Sequence, residues 1–295
     1  MGDMVLGYMQ KSALRLLLIR LAVFTLLLAI GIAVSSCSNN QKSEKPGAPN
    51  SSLVYRDKNG RELTEKDLAD VSGEVNWSVV GSNTVPPNAK ELHAQAQQEG
   101  SAGNYKKALD LLAQAHKLAP AWPYPLYDTA YTYLLMGDSA KALENYEAVC
   151  KMAPRGFFTA ITAADSLRRE KSGQLKRGTY KKYLMLESVT DLTEKKVELQ
   201  KMTEEIPGFA PGWKDLSIAL EGDPEKLHAI ETGLSHDPDG ETKGFLLINK
   251  ALILSRSKKD DEAVRILGDL ALDPKSPLDV EQIAKATLAN IRHVK

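Results

Sequence analysis

The chain reads as all-α, an α-solenoid of stacked helix pairs, and three observations predict that class. The first is an internal repeat: AGNYKKALDLLAQAHKLAP at residues 102–120 is followed by MGDSAKALENYEAVCKMAP at residues 136–154. Gly103 and Gly137, Ala108 and Ala142, Leu109 and Leu143, and Pro120 and Pro154 each recur 34 residues apart, the period of a helix–turn–helix unit in tandem. The second is spacing within each copy. A small residue (Ala108, Ala142) is followed one helical turn later by a large one (Leu112, Tyr146), as needed where two helices cross closely. The third is punctuation: Gly where the chain turns between the helices of a pair, and Pro where the second helix stops. A lone pair cannot bury its apolar faces, so stacking of neighbours stabilises such a fold.

Taken in order, the chain begins with an export segment, residues 1–36. Lys11, Arg15 and Arg20 precede an apolar run, LAVFTLLLAIGIAV, at residues 21–34. That run has the length of a secretory h-region and is short for a membrane span. Val34-Ser35-Ser36-Cys37 follows and resembles the bacterial lipobox, which implies cleavage before Cys37 and a covalent lipid on its thiol. The competing reading is an uncleaved signal anchor in which Cys37 is incidental. Residues 37–52, polar and rich in Pro, Gly and Ser, read as a flexible tether. Without residues 1–36, 35 basic side chains face 37 acidic ones, a balance that argues against a nucleic-acid footprint. Cys150 is the other cysteine; beside Val149 on an apolar helix face, it is expected to be a buried, inert thiol.

Residues 53–87 read as a small ββαβ cap. Two short runs flank Asn59-Gly60, a two-residue hairpin signal, and Thr64 heads a short helix that Gly73 ends. Val75, Trp77 and Val79 then alternate as a strand. The stretch Asp57-Lys58-Asn59-Gly60 has its Gly fourth, where a calcium loop needs it sixth, so a plain turn is the expectation. Pro86-Pro87 stiffens the link to the repeats.

The repeats occupy residues 88–274. Helices are expected at 89–100 with 105–118, and at 124–136 with 139–152. Three more are expected at 157–170, 174–186 and 192–205, with their pairing open. Trp213-x2-Leu216-Ser217-x2-Leu220 marks the next first helix, and its partner covers 225–235. A pair at 244–257 and 262–272 follows, with Ala263 and Leu267 in the small and large places. Residues 275–295 supply a capping helix over 278–293, which covers the open end. The period gives four to six repeats.

These landmarks resemble the tetratricopeptide-repeat (TPR) family over residues 88–274, strongly in the first two copies and weakly in the middle. The Leu-Gly of the family's first helix is Gln95-Ala96 and then Thr129-Ala130 here. The resemblance implies a scaffold that binds a partner protein or peptide along a concave face lined by first helices. With the export segment it implies a membrane-anchored lipoprotein in an envelope assembly, similar to those serving outer-membrane protein insertion or secretin assembly. Ser38 after Cys37 resembles the outer-membrane sorting preference, which in a diderm bacterium places the body in the periplasm.

On that face Tyr124, Tyr127 and Tyr131 are spaced i, i+3, i+7 and share one side of their helix. His93 and Gln97 flank them on one neighbour, and Phe158, Ile161, Asp165 and Arg168 on the other. Tyrosines are favoured contact residues because an apolar ring carries a polar tip; the bland alternative is that they pack between repeats. Tyr127 and Tyr131 stand where the family's carboxylate clamp would need Lys, Asn or Arg, so the expected partner is an apolar or aromatic segment. Catalysis is not expected, and neither a cofactor nor a metal is. His93, His116, His228, His236 and His293 have no metal-ligand spacing, and no nucleophile motif or phosphate-cradling loop occurs. The alternative function is a glycan- or peptidoglycan-associated binding protein or enzyme using the cap and Trp77.

Overall fold

The computed structural model describes residues 85–293, and among them twelve α-helices follow one another without a strand. The export segment, Cys37, the tether and all but the last three residues of the expected cap lie outside the described residues. Helices α1 (Pro87–Ser101) and α2 (Tyr105–Leu118) form the first pair, and α3 (Tyr124–Met136) and α4 (Ser139–Met152) the second. Pro87 sits at the start of α1, where its missing N–H costs no hydrogen bond. Gly103 and Gly137 take φ of +80° and +85° in the two turns, a conformation glycine adopts without penalty. Asp138 then caps α4, its carboxylate accepting from the Lys141 N–H at 3.1 Å. Ala108 and Ala142 are buried at the helix crossings, with Leu112 and Tyr146 enclosed one turn on.

Beyond Pro154 the structure resolves the open pairing and moves several expected boundaries, among them two helix starts. Helix α5 (Ala160–Ser172) starts at Ala160 rather than Phe157, because Phe158 takes φ +48° and cannot lie in a right-handed helix. Helix α6 (Thr179–Leu186) starts at Thr179 rather than Gln174. Gly173 and Gly178 take φ of +81° and +86° there, and the buried Glu170 carboxylate accepts from the N–H groups of Gly178 and Tyr180, both at 2.7 Å. The unpaired backbone donors that open α6 are thus satisfied by one side chain from the end of α5. Helix α5 packs on α4 and the short α6, whereas α7 (Leu192–Glu205) packs chiefly on α8 (Ala210–Ala219). The outcome is five pairs with α7 as an inserted helix between the third and fourth.

The remaining pairs are α8 with α9 (Asp223–Ser235) and α10 (Gly240–Arg256) with α11 (Asp260–Leu272). Helix α12 (Leu278–His293) lies against both α10 and α11, burying Val280, Ala284 and Leu288. It lies tightly against α10 at Gly244, where an added Cβ would meet the Val280 side chain. Apolar packing falls into separate clusters. The largest runs from Tyr127 to Leu216, a second joins Ile230, Leu246 and Ile253, and a third runs from Ile248 to Leu288. A small fourth, Val85, Ala89, Ala119 and Trp122, closes the N-terminal end. The stack also doubles back, because α10 touches α5 directly.

Candidate partner-binding face

The first helices α1 and α3 and the turn 153–159 meet in a run of rings. The His93 imidazole stands edge-on to Trp122, centroids 4.9 Å apart, and to Tyr124 at 5.7 Å. Tyr124 meets Phe157 at 4.9 Å and Phe158 at 5.4 Å, both edge-to-face. The left-handed Phe158 brings two consecutive rings to the same side of the turn, 4.7 Å apart. Tyr127 lies beneath, against Phe158 at 5.2 Å and Tyr146 at 5.5 Å. From Tyr146 the rings continue inward through Tyr180 and Tyr183 to Phe209. Edge-to-face pairs contribute about 0.5–1.5 kcal/mol each beyond area burial, so this row fastens three successive units together.

A polar edge accompanies the rings. His93 Nε2 donates to Asp128 Oδ2 at 2.8 Å, and Gln97 Nε2 donates to the same oxygen at 3.0 Å. Asp128 therefore links α1 to α3, although His93 itself is only 7% exposed. Tyr127 is 8% exposed, and its hydroxyl shares a 2.8 Å hydrogen bond with Thr159 Oγ1. Burial pushes the phenols of Tyr146 and Tyr180 well above the ordinary range, with neighbouring tyrosines adding to it. The Tyr146 hydroxyl is buried with no hydrogen-bond partner among the described residues.

The sequence-predicted residues thus divide into three groups. His93, Tyr124, Tyr127 and Phe158 are joined by direct ring contacts, Gln97 is tied to His93 through Asp128, and half-buried Tyr131 follows one turn along α3. Within this group Tyr127 belongs to the core, so it supports the face from below. Ile161 instead sits beside Gly156 and Pro277. Arg168 is exposed and turned toward α4, where its Nε donates to Glu147 Oε1 at 3.0 Å. Asp165 pairs with Arg169 at 2.7 Å. Residues that sequence reasoning missed are Asp128, Trp122, Phe157 and Thr159. Of these, Asp128 follows Tyr127, which stands one 34-residue period after His93.

Cys150 is half-buried, and burial pushes its thiol up to about 11, with Arg168 pulling the other way. Among the described residues no group of three or more His, Cys, Asp or Glu is placed to hold a metal ion, and no helix is long and apolar enough to cross a membrane.

No family model matches the chain, and no curated protein matches it. Among solved structures, MamA (41-end) from Desulfovibrio magneticus RS-1 is 18% identical, covering 62% of this chain and 92% of its own, with a TM-score of 0.31. The MamA RS-1 ArsTM double mutant is 17% identical, covering 71% and 97%, with a TM-score of 0.31. TTC0263, a thermophilic TPR protein of Thermus thermophilus, is 23% identical, covering 68% and 99%, with a TM-score of 0.28. The assignment of repeat architecture rests on the chain's own 34-residue period and helix pairing.

Proposed function

We propose that the protein is a non-catalytic TPR-like scaffold, held at a membrane by a lipid on Cys37, that binds an apolar or aromatic segment of a partner protein across α1, α3 and the 153–159 turn. The observation that carries the reading is the half-buried aromatic surface of Tyr124, Tyr131, Phe157 and Phe158 beside the polar edge of Gln97 and Asp128. Rigid rings on packed helices lose little conformational entropy on binding. Gln97 and Asp128 are bonded to each other, and the amide's remaining N–H and oxygen and the carboxylate's second oxygen could orient a backbone. The export segment and lipobox-like Val34-Ser35-Ser36-Cys37 support the anchoring part, and a tether of residues 37–52 would let the body reach a partner at some distance.

The test is site-directed photo-crosslinking in the source cell. A photoreactive residue replacing Tyr131 or Gln97 is expected to give a discrete protein adduct, and the same residue at Gln114 or Lys151 on the second helices is expected to give none. Adducts at the second-helix positions alone would overturn the groove reading, and glycan adducts would replace a protein partner by a carbohydrate one. The anchor has its own test. A fatty-acid analogue should label the wild type and not Cys37→Ala, and an unlabelled wild type would return the chain to the signal-anchor reading.

A further inference from the structure

The inner side of α5 carries Thr162, Ser166 and Arg169, with Arg155 in the turn before it, and the chain itself covers this side. From the α9–α10 turn, Asp239 Oδ1 accepts from Thr162 Oγ1 at 3.1 Å, and the Arg169 guanidinium donates to the Asp237 carbonyl. The Asp237 carboxylate lies 3.5 Å from the same guanidinium. From the α11–α12 turn, the Ser276 carbonyl accepts from Arg155 Nε at 3.0 Å, and Glu281 in the first turn of α12 pairs with Arg155 Nη2. The Leu278 N–H donates to the Arg155 carbonyl at 2.7 Å. Two turns far along the chain are therefore seated on one helix and its approach.

This seam differs in kind from the helix-pair interfaces. Its hydrogen-bonding partners are guanidinium, carboxylate, hydroxyl and backbone groups, and apart from Ile161 and Pro277 beside Gly156 its contacts are polar. None of the clusters of buried apolar residues crosses it. Its middle is buried, where Thr162 also meets Glu241 and Thr242 at 3.4 Å. Its two ion pairs at the edges are partly exposed, Arg155–Glu281 less so than Arg169–Asp237. Partly exposed pairs are weakened by salt, whereas apolar burial is not. The backbone on either side takes left-handed conformations: Gly156 at φ +103°, Phe158 at +48° and Asp237 at +48°.

We infer that the seam is an electrostatic latch, an intramolecular contact that holds α10–α12 against α5 and, on release, uncovers the inner side of α5. In the closed state Arg155, Thr162 and Arg169 are occupied by the chain's own acidic and carbonyl groups. In the open state they join the face formed by α1 and α3 and lengthen it. The latch concerns the body's own opening and stands whether or not a partner binds at α1 and α3.

Hydrogen–deuterium exchange on the full chain tests it. Raising ionic strength from about 0.05 to 0.5 M shortens the Debye length severalfold. The peptide carrying Leu278 and that spanning residues 236–242 are then expected to exchange about tenfold faster, with the α3 and α4 peptides unchanged. Arg155→Ala should exchange fast at low salt already, and Arg155→Lys, which keeps the charge, should fall between. Should Arg155→Ala fail to fold, the wild-type salt series and Glu281→Gln decide. Exchange of Leu278 at the rate of the α3 core, insensitive to salt in both proteins, would show that the seam opens only with global unfolding and would overturn the latch.

Discussion

At the scale of single residues, Tyr127 shows how a side chain chosen for one role is placed in another. Its spacing with Tyr124 and Tyr131 put it on the expected binding face, but its ring is enclosed by Phe158 and Tyr146 and its hydroxyl bonded to Thr159. Tyr127→Phe keeps the ring and loses one hydrogen bond, a cost of about 1 kcal/mol. Tyr127→Ala leaves a cavity and should cost about 3–5 kcal/mol. Denaturant unfolding followed by tryptophan fluorescence reads both, and equal costs for the two variants would remove Tyr127 from the core. Glu170 is the opposite case, a charged side chain with no family landmark to mark it. It satisfies two backbone N–H groups at the start of α6, those of Gly178 and Tyr180, at 2.7 Å each. Its role depends on where Gly173 and Gly178 send the chain, which no local residue pattern announces.

At the scale of elements, the spacing was readable wherever a landmark repeated. Gly103, Ala108, Pro120 and their partners 34 residues on mark the first four helices, because each does a job that only a small, turning or stopping residue can do. Helices α3, α4 and α12 carry the bounds expected of them. The middle was harder to read because α7 is inserted into the period and because Phe158 and the two glycines displace helix starts. Gly244 shows what an unrepeated landmark does. A Cβ there would meet the Val280 side chain, with Cγ2 at 2.5 Å, so α10 and α12 approach as closely as they do only because residue 244 has no side chain. Val280 is β-branched and fully buried, and cannot swing aside. Gly244→Ala should therefore destabilise by about 1–3 kcal/mol despite its gain in helix propensity, read as earlier melting of the C-terminal helices. The paired change Gly244→Ala with Val280→Ala should recover part of that loss, and a neutral single variant would mean that the two helices sit further apart.

At the scale of the whole molecule, a stack held by nearest-neighbour contacts need not unfold as one unit. The seam from α5 to α10 and α12 was beyond the reach of sequence periodicity. It joins Arg155 to Glu281 and Thr162 to Asp239 across 126 and 77 residues, through charges that carry no repeat. If the polar seam and the α8–α9 stack are the links between a large N-terminal core and smaller C-terminal ones, then the two ends should part in denaturant. The sequence supplies a reporter for this, since all three tryptophans, Trp77, Trp122 and Trp213, precede α9. Because Trp213 packs against Gly233 of α9 near Leu246, the reporter is Trp122 alone, in a chain with Trp77 and Trp213 replaced by Phe. Far-ultraviolet circular dichroism counts every helix, whereas that fluorescence sees the N-terminal pairs. In urea the dichroism transition should therefore begin at lower concentration than the fluorescence transition, and Arg155→Ala should widen the gap by loosening the C-terminal helices alone. Superimposed transitions in both proteins would mean that α9–α12 share one cooperative core with α1–α8. In that event, the charges of the seam would act as part of a single rigid body.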